Sequence, residues 1–246
     1  MSISFLRTQR GHILFLLLLW IVQILLINPH GEFPSNDDWA FALSVREAVE
    51  HGRFFVSGWA GMNLIAQIGW GSLFCLPFGF SFTALRISTI VAGGLGLWGT
   101  YKLIRESTNH QPTALAGSLI MAVNPLYLGL SATFMTDVPF YAAVIWSYYF
   151  LVVGLKKDAI KPIVIGLGLG IVSLLIRQFG IVVFLSFSLA YVVLKGINWR
   201  SIAIASACSI GAVIFQAVYQ KWLIWMMNKA TIYNAQTTNI LKLKFL

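Results

Sequence analysis

Long apolar runs separated by short polar connections make up most of this chain. Eight runs carry few charges or none, at residues 11–27, 64–80, 83–104, 113–133, 139–155, 162–176, 179–194 and 201–227. An apolar run of about 20 residues is long enough to cross a bilayer as a helix. Because a backbone in lipid must satisfy its hydrogen bonds within the segment, the pattern predicts an all-α membrane protein.

Basic residues concentrate in the connections that the positive-inside rule assigns to the cytoplasm. They are Arg7, Arg10, Lys102, Arg105, Lys156, Lys157, Lys161, Lys195 and Arg200. If 11–27 leaves the cytoplasm, an odd number of crossings must separate it from the return at Lys102. Two runs, 64–80 and 83–104, stand in that interval, so one of them does not cross. We expect it to be 64–80, which is short and contains Gln67, Pro77 and three glycines.

The predicted topology has seven crossings in a single polytopic domain that covers residues 1–246. The crossings lie at about 11–27, 83–104, 113–133, 138–155, 162–177, 179–195 and 201–227. The first outer loop, 28–82, carries two surface helices at about 38–51 and 63–75. We therefore expect a multi-pass protein of the inner or plasma membrane, with a cytoplasmic N-terminus and an extracytoplasmic first loop.

Composition excludes several classes of protein. The chain is 58% hydrophobic and 10% charged, with a mean hydropathy of +0.80, which does not fit an ordinary soluble domain. Its net charge of +9 comes from scattered residues and not from a basic face, so we expect no nucleic-acid partner. The two cysteines and four histidines show no metal-ligand spacing, so we expect no zinc site.

Acidic side chains are scarce, and three of the eight stand beside apolar runs. The topology places Asp37, Asp38 and Asp137 on the same outer side as Arg177. Adjacent carboxylates repel each other, which favours a bound cation or a raised pKa, whereas a carboxylate at a helix start also fits capping. Arg177 and Arg86 fit either a contact with the membrane interface or the binding of a phosphate.

Five short strings in the chain carry a family resemblance. They are NDDW at 36–39, GFSFTALRIS at 79–88, NPL at 124–126, TFMTDVPF at 133–140 and IRQFG at 176–180. Together they resemble a bacterial membrane glycosyltransferase family of the GT-C class, related to the dolichyl-phosphate-mannose protein mannosyltransferases and the lipid A aminoarabinose transferase. The resemblance covers about residues 10–200. It implies a seven-crossing module with two surface helices, which moves a sugar from a polyprenyl-phosphate donor to a lipid, glycan or protein acceptor outside the cytoplasm.

The resemblance also implies roles for individual residues. Asp37 matches the loop carboxylate that acts as the catalytic base, Asp38 is its acidic neighbour, and Asp137 matches a second acidic position of the active site. Which of the adjacent pair is the base stays open. The substrate-binding residues that we expect are Arg177, near the donor phosphate, with Arg86, Trp39 and Gln178. Asp37 and Asp137 are also candidate ligands for a divalent metal, Mg or Mn, and we expect no other cofactor.

Two features depart from the family pattern. The aminoarabinose-type enzymes carry a Lys-Pro pair where this chain reads GMNLI at 61–65, so one expected phosphate contact is absent. Enzymes of this kind are usually longer, and the chain stops at Leu246. It is then either a truncated reading frame or a minimal form that needs a partner chain for C-terminal elements. The competing interpretations are a transporter or flippase for lipid-linked sugars and a non-catalytic membrane subunit.

Overall fold

The structure is a computed structural model that describes residues 8–227, so Arg7, one of the predicted orientation charges, lies outside the described residues. Within that range the chain forms ten α-helices and no strand. They are α1 (Gln9–Ile27), α2 (Asp38–His51), α3 (Ile65–Cys75), α4 (Phe82–Thr108), α5 (Gln111–Ala122), α6 (Pro125–Ser131), α7 (Asp137–Lys157), α8 (Ile160–Ile176), α9 (Ile181–Lys195) and α10 (Trp199–Met227). The predicted all-α membrane class is confirmed.

Five of the described helical segments are long and apolar enough to cross a membrane, and a bent pair makes a sixth. The five are α1, α4, α7, α9 with the short 3-10 turn before it, and α10. The pair is α5 and α6, which meet at 63°. Asn124 causes this break, because its side chain accepts hydrogen bonds from the first free amides of α6, those of Leu126 and Tyr127. Pro125, at the first position of α6, also favours a helix start there.

The remaining predicted crossing, at 162–177, corresponds to α8, which has 17 residues. At 1.5 Å per residue α8 is about 26 Å long, which is shorter than the roughly 30 Å hydrocarbon core. It ends early because Arg177 adopts an extended conformation, with φ −140° and ψ 139°. The described residues therefore give five or six candidate spans by length and composition, and the seven-crossing topology stays a prediction.

Close packing of α4, α7 and α8 depends on glycine. A Cβ on Gly99 of α4 would lie 2.6 Å from Ile145 of α7, and one on Gly166 of α8 would lie 2.7 Å from Leu151 of α7. Small residues of this kind let membrane helices approach each other closely. These contacts hold the middle of the bundle together and fix where the ends of α4, α7 and α8 lie.

Side-chain contacts define two ends of the bundle. At one end, which we call the basic end, Arg105 donates to Gln9, Lys156 donates to the Glu106 carbonyl, and Lys195 pairs with Asp158 at 2.6 Å. These contacts join the start of α1 to the ends of α4, α7 and α9. The opposite end, which we call the loop end, holds the first loop, the starts of α4 and α7, and Arg177.

Two helices occupy the first loop. α2 and α3 cover an apolar cluster that includes Phe41, Val45, Ile68 and Phe134. α3 has 11 residues, about 16 Å, and is too short to cross a bilayer. α2 ends at Gly52, whose left-handed conformation (φ 62°) suits glycine.

Candidate active site

Arg86 ties the first loop to the start of α4. Arg86 is only 3% exposed, and its guanidinium donates to the carbonyls of Pro29 at 3.0 Å and Gly31 at 3.1 Å, and also to the Phe33 carbonyl and the Ser35 hydroxyl. It also lies 4.6 Å from the centre of the Phe33 ring. Arg86 is thus surrounded by loop atoms, and its expected role in substrate binding stays a prediction.

Glu32 fastens the same loop at a second point. Its carboxylate accepts hydrogen bonds from the Ser81 hydroxyl at 2.7 Å, the Phe82 amide at 2.8 Å and the Thr83 amide at 3.3 Å. Burial alone would raise the pKa of Glu32, but these hydrogen bonds together lower it to about 2. The carboxylate therefore satisfies the free amides at the start of α4. Sequence reasoning missed this role, because nothing in the sequence links residue 32 to a helix start fifty positions away.

Asp38 joins α2 to the segment that leads into α7. Its side chain is fully buried, and its two oxygens accept from the Ser35 amide at 2.7 Å and the Phe134 amide at 3.2 Å. Burial raises the pKa of Asp38, although the two amides and the charge of Arg86 act in the opposite direction. Phe134 stands three residues before Asp137, so the bond places the starts of α2 and α7 side by side.

Asp37 has a different environment from its neighbour. It is exposed, and its side chain makes no capping hydrogen bond although it occupies the position before α2. Its carboxylate forms no ion pair with any residue in the described range 8–227. The structure thus separates the adjacent pair into a buried, hydrogen-bonded Asp38 and an open Asp37.

Asp137 and Arg177 form an ion pair between the start of α7 and the end of α8. The Asp137 side chain is 37% exposed and that of Arg177 is 17% exposed, and the guanidinium also lies 5.9 Å from the centre of the Phe140 ring. Arg177 Nε is buried and has no hydrogen-bond partner among the described residues. One nitrogen of the guanidinium therefore holds Asp137, which leaves donors available for an anion.

Backbone geometry after α8 sets the position of Arg177. The chain turns tightly through Gln178–Gly180, and a Cβ on Gly180 would collide with the backbone of Leu174. Gln178 donates to the Gly61 carbonyl at 3.2 Å, which connects this turn to the first loop. Gln178 Oε1 is buried and has no partner within the described chain.

An apolar groove of about 470 Å³ runs beside the ion pair. α3, α4, α7 and α8 form its walls, with Trp70, Leu95, Trp146 and Leu169 among the lining residues. The lining also includes Pro139, two residues after Asp137, and Ile176, directly before Arg177. The groove therefore reaches from the charged pair at the loop end towards the middle of the bundle.

Other candidate residues are less closely associated. Trp39 is 40% exposed and its ring lies 6.2 Å from that of Trp59, so an aromatic pair stands beside Asp37. No group of three or more His, Cys, Asp or Glu side chains suited to a metal occurs between residues 8 and 227. Because Asp137 is paired with Arg177, the two candidate metal ligands lie in different surroundings.

A buried amide network supports the site and was not predicted. Asn63, before α3, donates to the Leu174 carbonyl and exchanges hydrogen bonds with Gln216 of α10, at 2.8 and 3.2 Å. Gln220 donates to its side-chain oxygen at 2.7 Å, and Tyr219 donates to its backbone carbonyl. The signal was the presence of two glutamines inside an apolar run, because polar side chains in a span usually face other helices.

The fold defines a multi-pass membrane protein with the candidate aspartates and Arg177 at the loop end and an apolar groove beside the Asp137–Arg177 pair. A family model described as dolichyl-phosphate-mannose-protein mannosyltransferase matches residues 70–225, more than half of the chain. The chain therefore belongs to this family of membrane glycosyltransferases of the GT-C type. The matched region contains Asp137 and Arg177 and begins after Asp37 and Asp38. No curated protein and no solved structure matches the chain.

Proposed function

We propose that this protein transfers a sugar from a polyprenyl-phosphate donor to an acceptor hydroxyl at the loop end, with Asp37 as the general base. One observation carries the proposal. The buried Asp38 carboxylate binds the Phe134 amide, so the open Asp37 carboxylate stands near the start of α7, where Asp137 holds Arg177.

The apolar groove supports a lipid-linked donor. A polyprenyl chain lying against Trp146 and Leu169 would have its phosphate near Ile176 and Pro139, next to the Arg177 guanidinium. Ligand sites are typically apolar clefts with few polar groups placed at one point. A water-soluble nucleotide sugar has no apolar tail to fill such a groove, so the groove favours a lipid-linked sugar donor.

The chemistry assigns one task to each charged group. Asp37 takes the proton of the acceptor hydroxyl as its oxygen attacks the anomeric carbon. The bond between that carbon and the donor phosphate oxygen breaks, and the negative charge remains on the lipid phosphate. Arg177 stabilises that charge through the donors that Asp137 leaves free. Asp137 keeps the guanidinium in position.

A divalent metal remains part of the proposal, but the derived steps do not depend on it. Mg²⁺ is commonly held by one or two carboxylates together with substrate phosphates and water. Asp37 is the open carboxylate that fits this pattern, with Asp137 as the second candidate. When bound, the metal would neutralise charge on the leaving phosphate.

Substitution of Asp37 tests the proposal. The full chain is reconstituted in vesicles with dolichyl-phosphate mannose as the first donor probe and extracted membrane glycolipids as acceptors. We expect Asp37→Asn to lower the rate of transfer by about 100-fold or more, because general-base catalysis contributes about 10²–10⁴-fold. Glu50→Gln is the matched control, since it removes an exposed carboxylate from α2, the helix that Asp37 precedes, and we expect transfer within about twofold of the wild type.

Two outcomes would contradict the proposal. Equal transfer by wild type and Asp37→Asn would exclude Asp37 as the base. Movement of the lipid-linked sugar across the bilayer without transfer would instead support the transporter interpretation, since ionisable residues in membrane proteins also mark transport paths.

A further inference from the structure

A polar cavity of about 140 Å³ lies at the basic end, far from the candidate active site. Lys102, Arg105, Glu106, Asn109 and Tyr149 line it, where the end of α4 meets α7. The start of α4 lies at the loop end, and its 27 residues span about 40 Å. The cavity is therefore separate from the Asp137–Arg177 pair, and Phe150 of the groove packs at 5.1 Å against Tyr149, on the side of the cavity that faces the bundle.

The cations at this cavity lack carboxylate partners. Lys102 Nζ lies 5.6 Å from the Tyr149 ring centre, Arg105 donates to the neutral amide of Gln9, and Lys156 donates to the Glu106 carbonyl. No ion pair involves these three cations within the described residues. Glu106 is the one carboxylate in the lining, so the cluster keeps an excess of positive charge.

Helix capping does not account for Lys102 and Arg105. Basic residues near a helix C-terminus often compensate its free carbonyls. Here two of those carbonyls have other donors: the Asn109 amide donates to the Arg105 carbonyl at 2.8 Å, and Lys156 donates to the Glu106 carbonyl. Within the described residues no side-chain hydrogen bond joins Lys102 or Arg105 to a carbonyl of α4, so Lys102 and the Arg105 donors that do not bind Gln9 are available to a ligand.

Aromatic side chains border the cavity on the side of the apolar bundle. Tyr149 packs edge-on against Trp146 at 5.5 Å, and Trp146 packs edge-on against Trp98 at 5.0 Å. Trp98 is 42% exposed on the outer surface of α4. Such rings are typical of the membrane–water boundary, where headgroups lie. The cavity is large enough for a phosphate group, with acyl chains able to follow the aromatic surface.

We propose that Lys102 and Arg105 bind the phosphate of an anionic membrane phospholipid in this cavity. Basic pockets between membrane helices are known to bind lipid headgroups of this charge. A lipid bound there would join the ends of α4 and α7 to the start of α1, because Arg105 also contacts Gln9. The inference does not rest on the proposed glycosyl transfer.

Lipid binding by the purified full chain tests this site. In detergent, we expect phosphatidylglycerol to stay bound in native mass spectrometry and to raise the unfolding temperature, whereas phosphatidylcholine does neither. We expect Lys102→Gln with Arg105→Gln to weaken phosphatidylglycerol binding by about tenfold or more, since charge-assisted bonds to phosphate are lost. Lys195→Gln is the matched control, because it removes a cation at the same end that is already paired with Asp158.

The possible results separate the sources of phosphate. Equal binding of the two lipids, or an equal loss in the control, would overturn the proposal in favour of general surface charge. Stabilisation by inorganic phosphate as strong as that by phosphatidylglycerol would overturn the assignment to a lipid. Lys102→Gln alone is the variant least prone to misfold, because within the described residues the Lys102 side chain forms no hydrogen bond or ion pair and interacts with the Tyr149 ring. It must also weaken phosphatidylglycerol binding for the proposal to stand.

Discussion

Three carboxylates in the first loop and at the start of α2 have three different environments. Glu32 is solvent-exposed and holds the start of α4 through three donors. Asp38 is buried and binds two backbone amides. Asp37, between them in sequence, has neither arrangement. Two acidic groups thus position the loop, which leaves the third free for chemistry in our proposal.

At the residue scale, Glu32 makes stability depend on pH. Its pKa is lowered from 4.5 to about 2, so the folded state favours the ionised form. The stabilisation is complete above pH 4.5 and is lost as the pH falls towards 2. We expect Glu32→Gln to lower the free energy of unfolding by about 1 kcal/mol near neutral pH, as for the loss of a helix cap, because much of the interaction is screened by solvent.

Unfolding in detergent, followed between about pH 6 and pH 3, measures this effect. The wild type should lose stability over that range, and Glu32→Gln should lose less. Glu50→Gln is the control, because it removes an exposed carboxylate of α2 whose one ion pair among the described residues is with Arg46. The same pH profile for the wild type and Glu32→Gln would show that the bonds of Glu32 to α4 do not stabilise the fold.

Sequence reasoning located the charged residues of the site but not their partners. Hydropathy and charge are local signals, so they indicated the helices and placed Asp137 on the same side as Arg177. Asp38 binds a backbone amide and Arg86 binds backbone carbonyls, and such atoms occur at every residue. The residue types at positions 134, 29 and 31 therefore gave no signal from which these contacts could be predicted. For the same reason, the roles of Asp37 and Asp38 became distinguishable only in three dimensions.

At the element scale, α10 positions the wall of the groove. α3 lines the groove through Ala66, Trp70 and Leu73. Asn63, two residues before the start of α3, holds this helix in place by its hydrogen bond to Gln216. Asn63 is fully buried and contacts α8 and α10. Gln216 and Gln220 of α10 therefore help to position this wall of the groove, because they hold Asn63 in place before α3.

Replacing Asn63 should destabilise the protein through its unpaired partners. We expect Asn63→Leu to cost about 1–3 kcal/mol, because the half-buried Gln216 and Gln220 would lose their hydrogen bonds to Asn63. Adding Gln216→Leu and Gln220→Leu should recover part of the loss, since no side-chain amide of this network is then left without its partner. Thermal unfolding in detergent measures both. A triple variant less stable than Asn63→Leu would contradict the network interpretation.

At the scale of the whole molecule, charge is divided between the two ends of the bundle. The basic end holds Lys102, Arg105 and Lys156, and the loop end holds the three aspartates of the candidate site. A basic end of this kind is expected to face the cytoplasm. The loop end would then receive acceptors on the outer side.

Labelling of single cysteines tests this orientation. In a background with Cys75→Ala and Cys208→Ser, we expect Arg53→Cys and Phe179→Cys to react with an impermeant thiol reagent added outside the cell. Lys157→Cys should react only after the membrane is opened. Labelling of Arg53→Cys and Phe179→Cys from opposite sides would contradict a shared site at the loop end. Labelling of Lys157→Cys from outside, without labelling of the other two, would show that the orientation is the reverse of the one expected.

The hydrogen bond from the Phe134 amide to Asp38 has an implication for how such proteins diverge. Mutation can replace the aromatic ring at position 134 without removing the donor, since every residue except proline supplies an N–H group. Substitutions at position 134 therefore do not require a compensating substitution at position 38. Methods that find neighbours from correlated substitutions would overlook this contact, and divergent relatives are best sought from the positions of their acidic residues.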